Sequence, residues 1–139
     1  MLLDVNVLLA LAWPSHQFHH RARIWFQKHQ DEPWFTCAIT QLGFVRISSN
    51  QAFTKHAKRP GEAQALLNQT TAHRSHQYLA ELPALEHFDM LWNHTLGHKQ
   101  TTDIYLATIA AHHKTRLCSF DIRLLKHPVV GSYIVSPPV

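Results

Sequence analysis

The chain has 139 residues, of which 45% are hydrophobic and 16% charged, and its formal net charge is +4 before any histidine protonates. That length and apolar content fit a single domain over residues 1–139 and exclude a disordered or collagen-like chain. The two cysteines, Cys37 and Cys118, lie too far apart for a CxxC pair and too few for a disulfide framework, so buried thiols in a reducing compartment are expected.

Met1 to Val5 reads as a short apolar strand with Asp4 near its carboxyl end. The opening MLLDVNVLLALAWP has the apolar look of a signal sequence. Its acid at position 4 and its lack of a basic leader make it a core strand running into a helix instead. No other segment has the length to span a membrane, so a soluble, cytoplasmic protein with no membrane partner is expected. Asn6 to Leu11 starts a short helix, which Pro14 breaks. His19 to Gln30 is amphipathic, with Ala22, Trp25, Phe26 and His29 at helical spacing. Trp34 to Cys37 is a second strand, and a helix carrying Leu42, Phe44, Val45 and Ile47 starts at Ile39 or Thr40. Ser48 to Arg59 is polar and irregular, the one sizeable loop candidate.

Glu62 to Ala72 reads as a helix and Gln77 to Leu79 as a third strand. Pro83 precedes a helical pattern over Ala84 to Leu96, with Leu85, Phe88, Leu91 and Trp92 on one face. Thr101-Thr102 is placed to cap a helix from Asp103 to His113. Leu117 to Phe120 is a buried strand, Ile122 to Lys126 a short helix, and Tyr133 to Val135 the last strand. Short apolar strands alternating with helices predict an α/β fold with a mostly parallel sheet covered by helices on both faces.

Three aspartates border apolar segments of that pattern: Asp4, Asp103 and Asp121. Open α/β sheets build sites beyond the carboxyl ends of their strands, where Asp4 and Asp121 fall. Period-two geometry puts Asn6 beside Asp4 and Ser119 on the side of Asp121. Both neighbours carry polar groups able to hydrogen-bond or ligate. Each acid also has an ordinary reading. Asp103 and Asp121 suit helix starts, where the dipole stabilises a carboxylate by roughly 0.3–1 kcal/mol. Asp4 is harder to explain so, because an acid inside an apolar strand is costly without a partner. Three carboxylates gathered on one rim repel one another, and a divalent cation relieves that.

Hard oxygen donors select Mg²⁺ or Mn²⁺ over zinc. His19-His20 and His112-His113 are adjacent pairs, which diverge on a helix, and Gly97 interrupts His94 and His98. The basic balance, which the 13 histidines would deepen in acid, suits a polyanion such as RNA or DNA.

The segments LLDVNVLLAL, TCAITQLGFVRISSN and GHKQTTDIYLATIAAHHKTRLCSFDIRL, taken together and in this order, resemble the PIN domain, and more narrowly the VapC-type toxins of bacterial toxin–antitoxin pairs. The resemblance covers essentially the whole chain. It implies a compact α/β/α sandwich and Mg²⁺- or Mn²⁺-dependent cleavage of RNA. By matching position it makes Asp4, Asp103 and Asp121 the acidic, metal-holding, catalytic set. Asn6, Ser119, Gln41 and Arg46 stand as supporting residues. Family members often carry an acid where this chain has Gln41, a neutral oxygen donor, which bears on whether one metal or two are held. Arg46 matches a basic position whose role is either a salt bridge to a site carboxylate or a phosphate contact. Such toxins usually form homodimers and are inhibited by a VapB-like antitoxin, for which the helices around Trp25-Phe26 and Phe44-Val45 are candidate surfaces, although core packing is the commoner use of this pattern. Lys55, Lys58 and Arg59 are candidates to follow the RNA backbone, and Trp13 or Phe53 to stack a base, although core burial is the commoner use of such aromatics. The rival expectation is a catalytically weak or inactive PIN module that binds RNA or protein without cutting it.

Overall fold

The structure, a computed structural model, describes residues 1–88, 92–95 and 97–138. Its centre is β1, Leu2–Leu3, whose two side chains are fully buried on opposite faces of the sheet. β2 (Trp34–Cys37) pairs with β1 on one side and β4 (Leu117–Cys118) on the other. β3 (His76–Leu79) lies outside β2, and β5 (Ile134–Val135) outside β4. The order β3-β2-β1-β4-β5 is parallel throughout. A parallel sheet buries both faces, which is why its inner strands are continuous apolar pairs rather than alternating ones.

Period-two geometry assigns the two cores. Leu2, Leu117 and Ile134 point to one face, where Ile104, Leu106, Ile109 and Ala110 cover them. Those residues belong to α5, His98–His112. Leu3 and Cys118 point to the other face and meet Val7, Leu8, Trp25, Trp34, Phe44 and Leu67. These come from α1 (Val5–Ala12), α2 (His19–His29), β2, α3 (Ala38–Ser48) and α4 (Pro60–Thr71). The result is the α/β/α sandwich with a parallel sheet. Both cysteines are free and buried, as composition implied. Among the described residues no helix is long and apolar enough to cross a membrane.

Several boundaries differ from the sequence pattern for local reasons. α1 starts at Val5, immediately after β1, because the Asp4 side chain caps it. α5 starts at His98, not Asp103. Thr101 and Thr102 lie inside it, and the Thr101 hydroxyl donates to the His98 carbonyl instead of capping a helix end. Asp103 is therefore the sixth residue of α5, beyond the turn where the dipole would explain it. α4 begins at Pro60, and the Glu62 carboxylate accepts from the Arg59 amide. Of the helix expected over 84–96, the described part holds a 3-10 turn at Leu85–His87; residues 89–91 and 96 lie outside the described residues. The short helix expected at Ile122–Lys126 is a 3-10 turn over Leu124–Lys126.

Trp25 and Phe44, candidates either for a partner surface or for the core, are buried in the core. Trp13 is buried too, donating its indole N–H to Ser48 Oγ at 3.0 Å while Phe53 packs edge-on at 5.9 Å. Trp13 is therefore not presented for base stacking, and Phe53 is half-buried against it.

Strand order fixes where a site can form. The chain moves from β1 outward to β2 and β3, then returns to β4 on the far side of β1. The crevice at the carboxyl ends of β1 and β4 is thus the switch point of the sheet. α1 and α3 flank it and approach closely at Gly43, where an added Cβ would stand 2.7 Å from Val5 Cγ2. In an open helix, Gly→Ala stabilises by about 1 kcal/mol. Here overpacking, at about 1–3 kcal/mol, opposes that gain. Gly43→Ala is expected to lower the denaturant midpoint; a gain of about 1 kcal/mol would show that α1 and α3 are not locked here.

Candidate functional site

Asp4 ends β1 in extended backbone and caps α1. Its Oδ1 accepts the Val5 amide at 2.6 Å. Its Oδ2 accepts Asn6 Nδ2 at 2.8 Å and the Ser119 hydroxyl at 2.7 Å. Asn6 Nδ2 also donates to Ser119 Oγ at 3.0 Å, and Asn6 Oδ1 accepts the Phe120 amide at 3.2 Å. The Asp121 amide donates to Ser119 Oγ at 3.1 Å. These bonds stitch the end of β1 to the end of β4. Asn6 is beside Asp4 as expected, but as a residue of the first turn of α1 rather than by extended geometry. Asp4 is buried, and burial pushes its pKa up; the Ser119, Val5 and Asn6 hydrogen bonds pull it down, and the charge of Asp121 adds to the rise.

Asp103 projects from the second turn of α5 into a cleft of about 370 Å³. Asp4, Val5, Ile39, Leu42, Gly43, Arg46, Ile47, Thr102 and Leu106 line the same cleft. The Asp103 pKa is raised to about 6, by burial first and then by the charges of Asp4 and Asp121, against a smaller pull from Arg123. Three acids from distant parts of the chain thus share one electrostatic neighbourhood.

Asp121 follows β4 and opens the turn before the Leu124–Lys126 3-10 helix. Its Oδ1 accepts the Arg123 amide at 3.0 Å, so it does act as a local cap. Both its oxygens also bind the Arg123 guanidinium, through Nε at 2.8 and 3.1 Å. That pairing holds its carboxyl below the usual range. Asp121 does not line the cleft of Asp4 and Asp103. Among the described residues, no three His, Cys, Asp or Glu side chains converge as a ready metal cage. The physical reason is visible in the bonds: Asp121 faces Arg123, and Asp4 spends three of its roughly four acceptor positions on protein donors.

Gln41 goes elsewhere. Its Nε2 donates to Thr36 Oγ1 at 2.9 Å, and the buried Thr36 hydroxyl in turn bonds His76 Nε2 at 2.8 Å. Burial lowers the His76 pKa, which favours the neutral ring. Arg46 is exposed on the cleft wall and makes no ion pair with any described residue, so the salt bridge to a site carboxylate is not formed. Arg123 was not among the sequence candidates. The signal was present in Phe120-Asp121-Ile122-Arg123, because an arginine two residues past a turn-opening aspartate can fold back on it.

A metal fits this donor set by chemistry. Carboxylates and amide oxygens are hard ligands, and among the described residues Asp4 and Asp103 have no cationic partner at ion-pair distance.

The family model of the PIN domain matches residues 1–129. The chain is 39% identical over 120 residues to Ribonuclease VapC38 of Mycobacterium tuberculosis strain ATCC 25618 / H37Rv, covering 86% of this chain and 84% of that protein. It is 36% identical over 131 residues to Ribonuclease VapC39 of Mycobacterium tuberculosis strain CDC 1551 / Oshkosh, covering 94% of each. Ribonuclease VapC44 of the same strain is 36% identical over 132 residues, covering 94% of this chain and 92% of that protein. With a family model matching most of its length and relatives aligned nearly end to end, the chain belongs to the PIN domain family.

Proposed function

We propose that this protein is a VapC-like toxin endoribonuclease, acting in the cytoplasm, that hydrolyses RNA phosphodiester bonds with Mg²⁺ or Mn²⁺. The observation that carries the reading is the gathering of Asp4, Asp103 and Asp121 at the β1/β4 switch point, where burial first and then the charges of Asp4 and Asp121 raise Asp103 to about 6. The relatives' printed name, ribonuclease, supports the same reaction class.

Asp4, Asp103 and Asp121 would hold the ion. When bound, a divalent ion lowers the pKa of an attacking water and offsets charge on the phosphate. The chain's own residues set the stage for this. Asn6 and Ser119 fix the Asp4 carboxylate so that its uncommitted lone pair is on Oδ1. Asp103 supplies a carboxylate with no hydrogen-bond or ion-pair partner among the described residues, hence the one most able to reorient. Arg46, unpaired and exposed on the cleft wall, is placed to meet a phosphate. A VapB-like antitoxin and a second copy of the chain are the partners expected of a VapC-type protein. The exposed Leu42 on the cleft rim is the apolar contact nearest the acids.

One observation favours the rival reading, an RNA- or protein-binding module without catalysis: the three carboxylates are not arranged as a finished cage. Calorimetric titration with Mn²⁺ separates the two, since no heat at millimolar metal would favour the binding module.

Cleavage of a single-stranded RNA should require Mg²⁺ or Mn²⁺ and vanish in Asp4→Ala and Asp103→Asn. Wild-type rates in either variant, at matched folding, would overturn the assignment. The metal-free protein should also show the raised pKa of Asp103 in its stability. Its folded state holds the proton more tightly than the unfolded chain, so this contribution falls as pH rises from about 4 to about 6. Asp103→Asn should flatten that dependence and, allowing for solvent screening on the open side, stabilise the metal-free protein at neutral pH by about 1–2 kcal/mol. An unchanged pH profile would mean that Asp103 does not feel its neighbours.

A further inference from the structure

Beyond the acid cleft, two recesses of about 270 and 380 Å³ meet at Gln100 and Arg123. They lie between the first turn of α5 and the 3-10 turn after Asp121. Their cations are Lys99, Arg123 and Lys126, and no acid lines either recess among the described residues. Lys99 and Lys126 are exposed and form no ion pair with any described residue. Lys99 lies one turn before Asp103 on the same face of α5, so the basic ground begins one helical turn from the acids. Arg123 joins the two regions directly through its bonds to Asp121.

The wall of this ground is braced. His127 Nδ1 accepts the Val129 and Val130 amides, each at 3.3 Å. The ring proton is therefore on Nε2, which donates to the His94 carbonyl at 3.3 Å. That tie fixes the 3-10 turn carrying Lys126 against the segment carrying Asn93 and His94. The alternative basic cluster is differently placed. Lys58 sits over the Trp13 ring at 5.6 Å, and neither Lys55, Lys58 nor Arg59 lines the acid cleft.

We propose that the Lys99–Arg123–Lys126 ground is the track for the sugar-phosphate backbone of a single RNA strand on one side of the acids, with Arg46 on the other. This rests on the ribonuclease reading and adds to it the course of the strand. Two lysines with no ion pair among the described residues, Lys99 and Lys126, beside clustered carboxylates offer a polyanion the counter-charge that the acids would otherwise deny it. The Lys55–Arg59 loop then has no part in holding the strand.

The test is fluorescence anisotropy with a labelled single-stranded RNA of mixed sequence, in EDTA so that nothing is cut, across a range of salt. Each lysine–phosphate contact on a single strand contributes about 0.7 to the slope of log affinity against log salt. The Lys99→Ala/Lys126→Ala double variant should lose about 1.4 from that slope. Lys99→Arg/Lys126→Arg should keep it, and Lys55→Ala/Arg59→Ala should leave it unchanged. A wild-type slope in the first variant, loss of slope in the loop variant, or no RNA binding by the wild type would each overturn the proposal. Cleavage by Asp103→Asn reports separately on the acid centre, because failure there leaves the binding slopes as they are.

Discussion

Ser119 Oγ uses its whole hydrogen-bonding capacity where β1 and β4 end: it donates to Asp4 and accepts from Asn6 and from the Asp121 amide. Asn6 likewise spends both amide hydrogens and its carbonyl on the same junction. Burying a carboxylate costs several kcal/mol unless donors replace the lost water. Charge-assisted hydrogen bonds contribute about 1.5–3 kcal/mol each, so the three at Asp4 are of the size needed. The acid can therefore sit at the end of a fully apolar strand. The same bonds hold the two strands' carboxyl ends at one height, and everything in the site is positioned from there.

The remaining acids arrive by different routes, and their environments push them apart. Asp103 is carried on α5, whose apolar face is pinned to the sheet by Ile104, Leu106, Ile109 and Ala110. Its backbone therefore stays beside Asp4, while its carboxylate keeps the freedom of its own side-chain torsions. Asp121, on a turn, finds Arg123 and is held ionised. One acid is thus neutralised by a local cation, and two are left short of one. A site with that imbalance has a standing demand for positive charge, which a divalent ion meets more compactly than a side chain can.

Much of this was legible in the chain itself. Asp4 stood out because a charge in an apolar strand demands a partner, and the structure supplies Asn6 and Ser119. The parallel sheet followed from short apolar strands alternating with helices. Other features were hidden for physical reasons. Thr101-Thr102 has the composition of a cap, yet α5 already starts at His98 and the Thr101 hydroxyl bonds back to the His98 carbonyl, so Asp103 stands in a second turn and not at a helix start. Gln41, on the same helix α3 as the cleft residue Arg46, does not line the acid cleft. The buried Thr36 hydroxyl, waiting between it and His76, decides the direction. Arg123 escaped notice because its partner is set by turn geometry, which neither periodicity nor composition reports. The close approach at Gly43 was equally silent, since it depends on Val5 across the cleft.

The central claim is that the ends of β1 and β4 and the second turn of α5 gather their acids around one divalent ion. An anomalous-scattering map from Mn²⁺-soaked crystals tests it most directly. The expected result is a peak bonded to carboxylate oxygens of Asp4, Asp103 and Asp121, with the Arg123 guanidinium turned away from Asp121. A peak confined to histidines elsewhere, or a crevice without manganese and with Arg123 still clasping Asp121 at saturating metal, would contradict it.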